Sequence, residues 1–180
     1  MDEKEYRSVY NTVNNLKCAF EKAVLTRRYA CSQLIRRNIG EREAAGCSDA
    51  DACDQCTRLL QVIRQKASFA LHTSSSGKKP LAHAKEIKVQ CGGLSGLELL
   101  IGANKDDVAN NQQLLQLVSD PEPQSESPSD ENELLPGVQD IYKTINQSLK
   151  QFEDFDSLPW PEIVKSISSF KGRKKKQPRH

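Results

Sequence analysis

The 180-residue chain is long enough for one domain, or for one domain with a small extension. With 37% hydrophobic residues, 28% charged residues and a mean hydropathy of −0.65, it favours a modest core with polar extensions. A net charge of +2 excludes a strongly basic or strongly acidic chain, and glycine, proline and β-branched runs are too sparse for a β-sandwich or barrel. Six cysteines are the unusual feature.

Helical periodicity dominates the first part of the chain. Apolar residues recur every three or four positions over 6–24, which predicts one amphipathic helix of about five turns. A second helix is predicted over 29–39, ending at Gly40, because glycine readily adopts the left-handed conformation that terminates helices. Residues 41–45 favour a further helical turn. Ser48 is a candidate N-cap for a third, cleanly amphipathic helix that continues to residue 71.

The rest of the chain alternates helical segments with polar ones. A loop is predicted over 72–80, and helices over 81–89, 94–101 and 106–118. Six acids, three prolines and no base over 119–133 predict a disordered linker. The sequence therefore predicts an all-α fold in four parts, namely a cysteine-bearing helical domain over 1–118, an acidic linker over 119–134, a helical hairpin over 135–170 and a basic tail over 171–180.

Neither secretion nor membrane insertion is indicated by the sequence. The opening residues are charged, and no apolar run approaches the ~20 residues that span a bilayer. We therefore expect a cytoplasmic protein that does not contact a membrane. Thiols stay reduced in that compartment, so a disulfide framework is not expected.

The cysteines are candidate metal ligands. Cys47, Cys53 and Cys56 lie within ten residues around a predicted helix N-terminus, where the helix dipole is expected to lower the pKa of nearby thiols. Free cysteine is also a common small core residue, and Cys53 and Cys56 lie on the apolar stripe of their helix. Both interpretations remain open from the sequence.

Chain reversal decides which cysteines meet. If the chain turns back between residues 40 and 46, Cys31 and Cys56 each lie roughly 12–13 Å from the turn on antiparallel helices, and become level. Cys91 precedes Gly92 and Gly93, which let the backbone approach an anionic cluster or simply end a helix. The preferred ligand set is Cys31, Cys47, Cys56 and Cys91, with Cys53 as a substitute; Cys18 is the least favoured.

The spacing favours an iron–sulfur cluster over zinc. Zinc sites usually combine two close C-x₂-C pairs, and here only Cys53 and Cys56 have that spacing. Scattered single cysteines are more typical of a helical [4Fe–4S] site. An iron–sulfur cluster is therefore the predicted cofactor, and zinc the alternative.

No nucleophile–base pair, phosphate-binding loop or carboxylate dyad is visible, which favours a non-enzymatic role. The predicted function is electron transfer, redox sensing or cluster delivery, with a protein partner. One alternative is a metal-free helical adaptor. The other is a nucleic-acid-binding protein with a structural metal, because residues 1–105 carry 17 bases against 11 acids. Its contacts would come from the basic tail and an arginine cluster, Arg27, Arg28, Arg36, Arg37 and Arg42.

Overall fold

The computed structural model describes residues 2–73, 81–106 and 140–171. The predicted linker over 119–134, residues 107–118 of the predicted helix and residues 172–180 of the predicted tail lie outside the described residues. The elements in chain order are α1 (Glu3–Val13), α2 (Glu21–Leu25), β1 (Leu34–Ile39), β2 (Arg42–Cys47), α3 (Ala50–Lys66), α4 (His83–Ile87), a π-helical turn (Lys88–Gly92), α5 (Gly93–Asp106), α6 (Ile141–Phe152) and α7 (Trp160–Ser169).

The prediction of an all-α fold is wrong, because residues 34–47 form an antiparallel β-hairpin. Leu34 pairs with Cys47, and Ile39 pairs with Arg42. Gly40 has a φ of 59° at the first central position of the two-residue loop, where a type II′ hairpin turn requires glycine. Gly40 therefore does reverse the chain, but between two strands rather than two helices.

Packing against α2 and against the chain after α1 explains why 42–47 is a strand despite its helix-forming residues. Ala44 and Ala45 are fully buried. A Cβ at Gly46 would lie 2.5 Å from Oδ1 of Asn14, so this position has no space for a side chain. The Asn14 amide also donates a hydrogen bond to the Ala45 carbonyl, at 3.1 Å. Tertiary packing thus overrides local helix propensity.

The single helix predicted over 6–24 is divided in two. Helix α1 ends at Val13, and α2 begins at Glu21. The intervening chain lies along β2, where the Cys18 N–H donates to the Ala45 carbonyl at 3.0 Å and the Cys47 N–H donates to the Leu16 carbonyl at 2.8 Å. This break brings Cys18 to the hairpin.

The later helices agree better with the sequence. Helices α3, α6 and α7 are confirmed, although α3 ends at Lys66 rather than at residue 71. Asp49 rather than Ser48 caps α3, with its carboxylate accepting from Ala52 N at 2.8 Å. Helices α6 and α7 share one hydrophobic core with the N-terminal part of the chain. The largest fully buried apolar side chains of that core are Phe20, Leu59, Ile63, Leu94, Leu97, Ile141, Ile145, Ile163 and Ile167. Among the described residues, no helix has the length and apolar character needed to cross a bilayer.

Gly92 and Gly93 do not end a helix. They lie where the π-helical turn passes into α5, and they provide space for neighbouring elements. A Cβ at Gly92 would lie 2.6 Å from the Cα of Ile167 in α7, and a Cβ at Gly93 would lie 3.1 Å from the Ile63 side chain. Close helix packing therefore explains this pair of glycines.

The variant Gly92→Ala is expected to lower the free energy of unfolding by about 1–3 kcal/mol, because the added methyl group meets the α7 backbone. Gly102→Ala is the matched control on α5. Nothing lies within 4 Å of its Cβ position, so better helix propensity should raise stability by up to about 1 kcal/mol. Urea denaturation measures both, and equal effects would show that α7 does not approach Gly92.

A buried ion pair joins α3 to α4. The Glu86 side chain is 1% exposed and accepts a hydrogen bond from Arg64 Nη2 at 2.6 Å. It also accepts from Leu81 N at 2.9 Å and from Gln90 Nε2 at 2.8 Å. Burial acts to raise the pKa of the Glu86 carboxyl, but these hydrogen bonds and the Arg64 charge outweigh it and lower the pKa.

We expect Glu86→Ala to destabilise the protein by about 3–5 kcal/mol at neutral pH, because the half-buried Arg64 guanidinium loses its partner. The exposed Arg58–Asp54 pair provides the control, and Arg58→Gln should change stability by less than about 1 kcal/mol. The Glu86 contribution is present above the unfolded pKa and is lost as pH falls through the lowered folded pKa. The difference between parent and Glu86→Ala, measured by urea denaturation, should therefore shrink in acid.

Candidate metal centre

One cavity of the structure is lined by five of the six cysteines. They come from four segments of the chain: the loop before α2, the loop before β1, the end of β2 and the first half of α3. The remaining wall is mostly apolar and includes Phe20, Leu34 and Ile141. The five cysteines are Cys18, Cys31, Cys47, Cys53 and Cys56.

The hairpin and α3 together place these residues. Cys31 precedes β1, and its carbonyl accepts a hydrogen bond from Leu34 N at 3.1 Å; Leu34 in turn pairs with Cys47. Cys53 and Cys56 lie about one turn apart on α3, directly after β2. The predicted chain reversal therefore does bring Cys31 to the same cavity as Cys56, although through strand pairing.

Burial favours the protonated thiol at four of the cysteines that line this cavity. It raises the pKa of Cys18 to about 12, and also raises the pKa of Cys31, Cys53 and Cys56. The expectation that the α3 dipole lowers the pKa of Cys53 and Cys56 is therefore wrong, because desolvation of the charged form is the larger effect.

Backbone N–H groups partly offset the effect of burial at two sulfurs. The Phe20 N–H hydrogen-bonds to the Cys18 sulfur and lowers its pKa. The N–H groups of Gln33 and Tyr142 do the same at Cys31. Such donors stabilise negative charge on sulfur, so the cavity favours the thiolate form once a cation compensates for burial.

The thiols do not converge on one point in this arrangement. In the described segments of the chain, no group of three or more Cys, His, Asp or Glu side chains is placed so that it could hold a metal ion. The Cys47 thiol donates to the Asp49 carbonyl at 3.2 Å, and the Cys53 thiol donates to the Lys17 carbonyl at 3.3 Å. Metal binding would require these thiols to lose their protons and turn toward the cavity.

Cys91 and Cys18 differ most from their predicted placement. Cys91 does not line the cavity: it lies in the π-helical turn, 1% exposed, and its carbonyl accepts a hydrogen bond from the Tyr29 hydroxyl at 3.0 Å. Cys18, the least favoured in the sequence, does line the cavity. The turn-forming pair Asn14–Asn15 was the available signal that the helix breaks before Cys18.

Much of the predicted arginine cluster is paired with carboxylates. Arg27 and Arg36 both contact Glu43, at 2.7 and 2.8 Å, and Arg42 contacts Glu3 at 2.7 Å. These pairs offset part of the positive charge on which a nucleic-acid interface would depend.

Comparisons with known proteins do not identify a family. No family model matches the chain, and neither a curated protein nor a solved structure is significantly similar to it. The chemistry of the cavity therefore carries the functional argument.

The buried thiols predict a loss of stability in alkaline solution. The folded pKa values are about 12 for Cys18 and about 11 for Cys91, against roughly 8.5 for an unfolded cysteine. Between these values the native state binds more protons than the unfolded state, so the free energy of unfolding falls as pH rises above about 8.5. Urea denaturation of the reduced, metal-free protein measures this slope. Cys91→Ala should have a shallower slope, and an unchanged slope would contradict the assignment.

Proposed function

We propose that this protein is a cytoplasmic metal-binding protein that holds an iron–sulfur cluster through thiolates of the cysteine-lined cavity. The gathering of five cysteines, from four segments, around one cavity carries the proposal. Cysteines used only as small core residues have no reason to collect at one place, and Cys91 exemplifies such isolated packing. All six cysteines are free thiols, as a reducing compartment requires.

The surroundings of the sulfurs support a cluster. Among the described residues that line the cavity there is no histidine, and the soft ligands there are all sulfur. N–H donors at Cys18 and Cys31 supply hydrogen bonds of the kind that set the reduction potential of iron–sulfur clusters. Electron transfer, redox sensing and cluster delivery to a protein partner are the roles that such a centre serves.

A single zinc ion is the second candidate. Cys53 and Cys56 have the C-x₂-C spacing of zinc sites and lie on adjacent turns of α3, close to Cys47 at the end of β2. Zinc would give the cavity a structural role, with the ion joining the hairpin to α3.

Anaerobic purification followed by iron, acid-labile sulfide and zinc analysis tests the proposal. We expect iron and sulfide together with a brown visible spectrum, after reconstitution if the cluster is lost. Zinc without iron or sulfide would favour the second candidate, a zinc site, over the cluster. A colourless protein that takes up neither metal would contradict both and leave the metal-free adaptor.

Cysteine variants test the site itself. Cys56→Ser should lose most of the metal, because Cys56 lies in the cavity. Cys91→Ser is the matched control, since Cys91 is equally buried but outside the cavity, and should keep it. The ligand set preferred from the sequence excludes Cys18, whereas the cysteines that line the cavity include it. We therefore expect Cys18→Ser to lose metal. Equal metal content in all three variants would contradict a site in this cavity.

A further inference from the structure

We propose that Asp140 is a positioning residue of the metal site, which fastens the loop carrying Cys31 to the first turn of α6. This inference rests on the proposed function and concerns how the same site is regulated. It means that metal binding and the docking of α6 stabilise each other. The geometry around one carboxylate oxygen carries it.

Asp140 performs two tasks with the same oxygen. Its Oδ1 accepts hydrogen bonds from the N–H groups of Tyr142 and Lys143, at 3.1 and 3.3 Å, and so caps α6. The same Oδ1 accepts from the N–H and the hydroxyl of Ser32, at 3.1 and 3.3 Å. Ser32 is 108 positions away in sequence and directly follows Cys31.

The residue on the other side of Cys31 is also bound to α6. The Ala30 carbonyl accepts a hydrogen bond from Ile141 N at 2.9 Å. Cys31 is therefore held between two backbone attachments to the first turn of α6. Ile141 and Tyr142 also line the cavity together with Cys31.

Three of the other cavity cysteines lie in regular secondary structure. Cys47 ends β2, and Cys53 and Cys56 belong to α3, which is separated from β2 by two residues. Cys31 lies in a loop, and α6 holds it from a distant part of the sequence. Partners that orient metal ligands typically change affinity 10–100-fold when they are removed. Because such coupling is reciprocal, a bound metal must also favour the docked position of α6.

Anaerobic titration of the full chain with Co²⁺ tests the proposal, with the thiolate-to-cobalt charge-transfer band as the signal. Asp140→Ala should weaken Co²⁺ binding by about tenfold or more and change the band, because Cys31 is no longer held. Asp140→Asn keeps an oxygen acceptor at the same position and should restore both. Asp2→Ala is the matched control: it removes the N-cap of α1, which accepts from Glu5 N at 2.8 Å, and should leave binding unchanged.

Two further measurements separate positioning from general destabilisation. Ile163→Val weakens the core contact of α7 and should leave the dissociation constant for Co²⁺ unchanged. In the parent chain, Co²⁺ should slow amide hydrogen exchange over 141–144. This measurement does not depend on the folding of any variant.

This inference would be overturned if Asp140→Ala bound Co²⁺ as tightly as the parent chain. It would also be overturned if Co²⁺ did not change the rate of amide hydrogen exchange over 141–144. The proposed function would still stand in that case. A parent chain that binds neither Co²⁺, zinc nor a cluster would instead refute the proposed function.

Discussion

Strand pairing on both sides of β2 is the constraint on which the cavity depends. On one side β1 pairs with β2 through the tight turn at Gly40. On the other side the chain after α1 hydrogen-bonds to β2, with Lys17 bridged to Gly46. Cys18, Cys31 and Cys47 reach one place because these three backbone segments are neighbours. Helix α3 follows β2 almost at once, so Cys53 and Cys56 join them without any long connection.

The balance between burial and charge decides what this cavity does. Removing a thiolate from water is costly, and burial accordingly raises the pKa of Cys18 and Cys56 in the cavity. In the protein alone, burial therefore favours the neutral form of these two thiols. A soft cation would change this balance, because its positive charge would stabilise thiolates that burial has removed from water. Binding then releases protons, which ties occupancy of the cavity to pH.

Part of this could be predicted from the sequence. The helices α3, α6 and α7 have clear amphipathic periodicity, and Gly40 marks the reversal. The hairpin could not be predicted from local propensity, because the burial of Ala44, Ala45 and Gly46 depends on chain segments far away in sequence. The same error misplaced two cysteines. A continuous first helix hides Cys18. A helix end at Gly92 makes Cys91 look accessible, whereas Cys91 is buried and Gly92 packs against α7.

The C-terminal helices make the fold and the cavity a single unit. Helix α6 contributes Ile145 to the core, while Ile141 belongs to the core and to the cavity wall. Helix α7 packs against Gly92, just before α5, and against Gly96 within α5. Undocking α6 would therefore uncover the core as well as the cysteines. A metal held in this cavity, as proposed above, would therefore be lost when these helices detach.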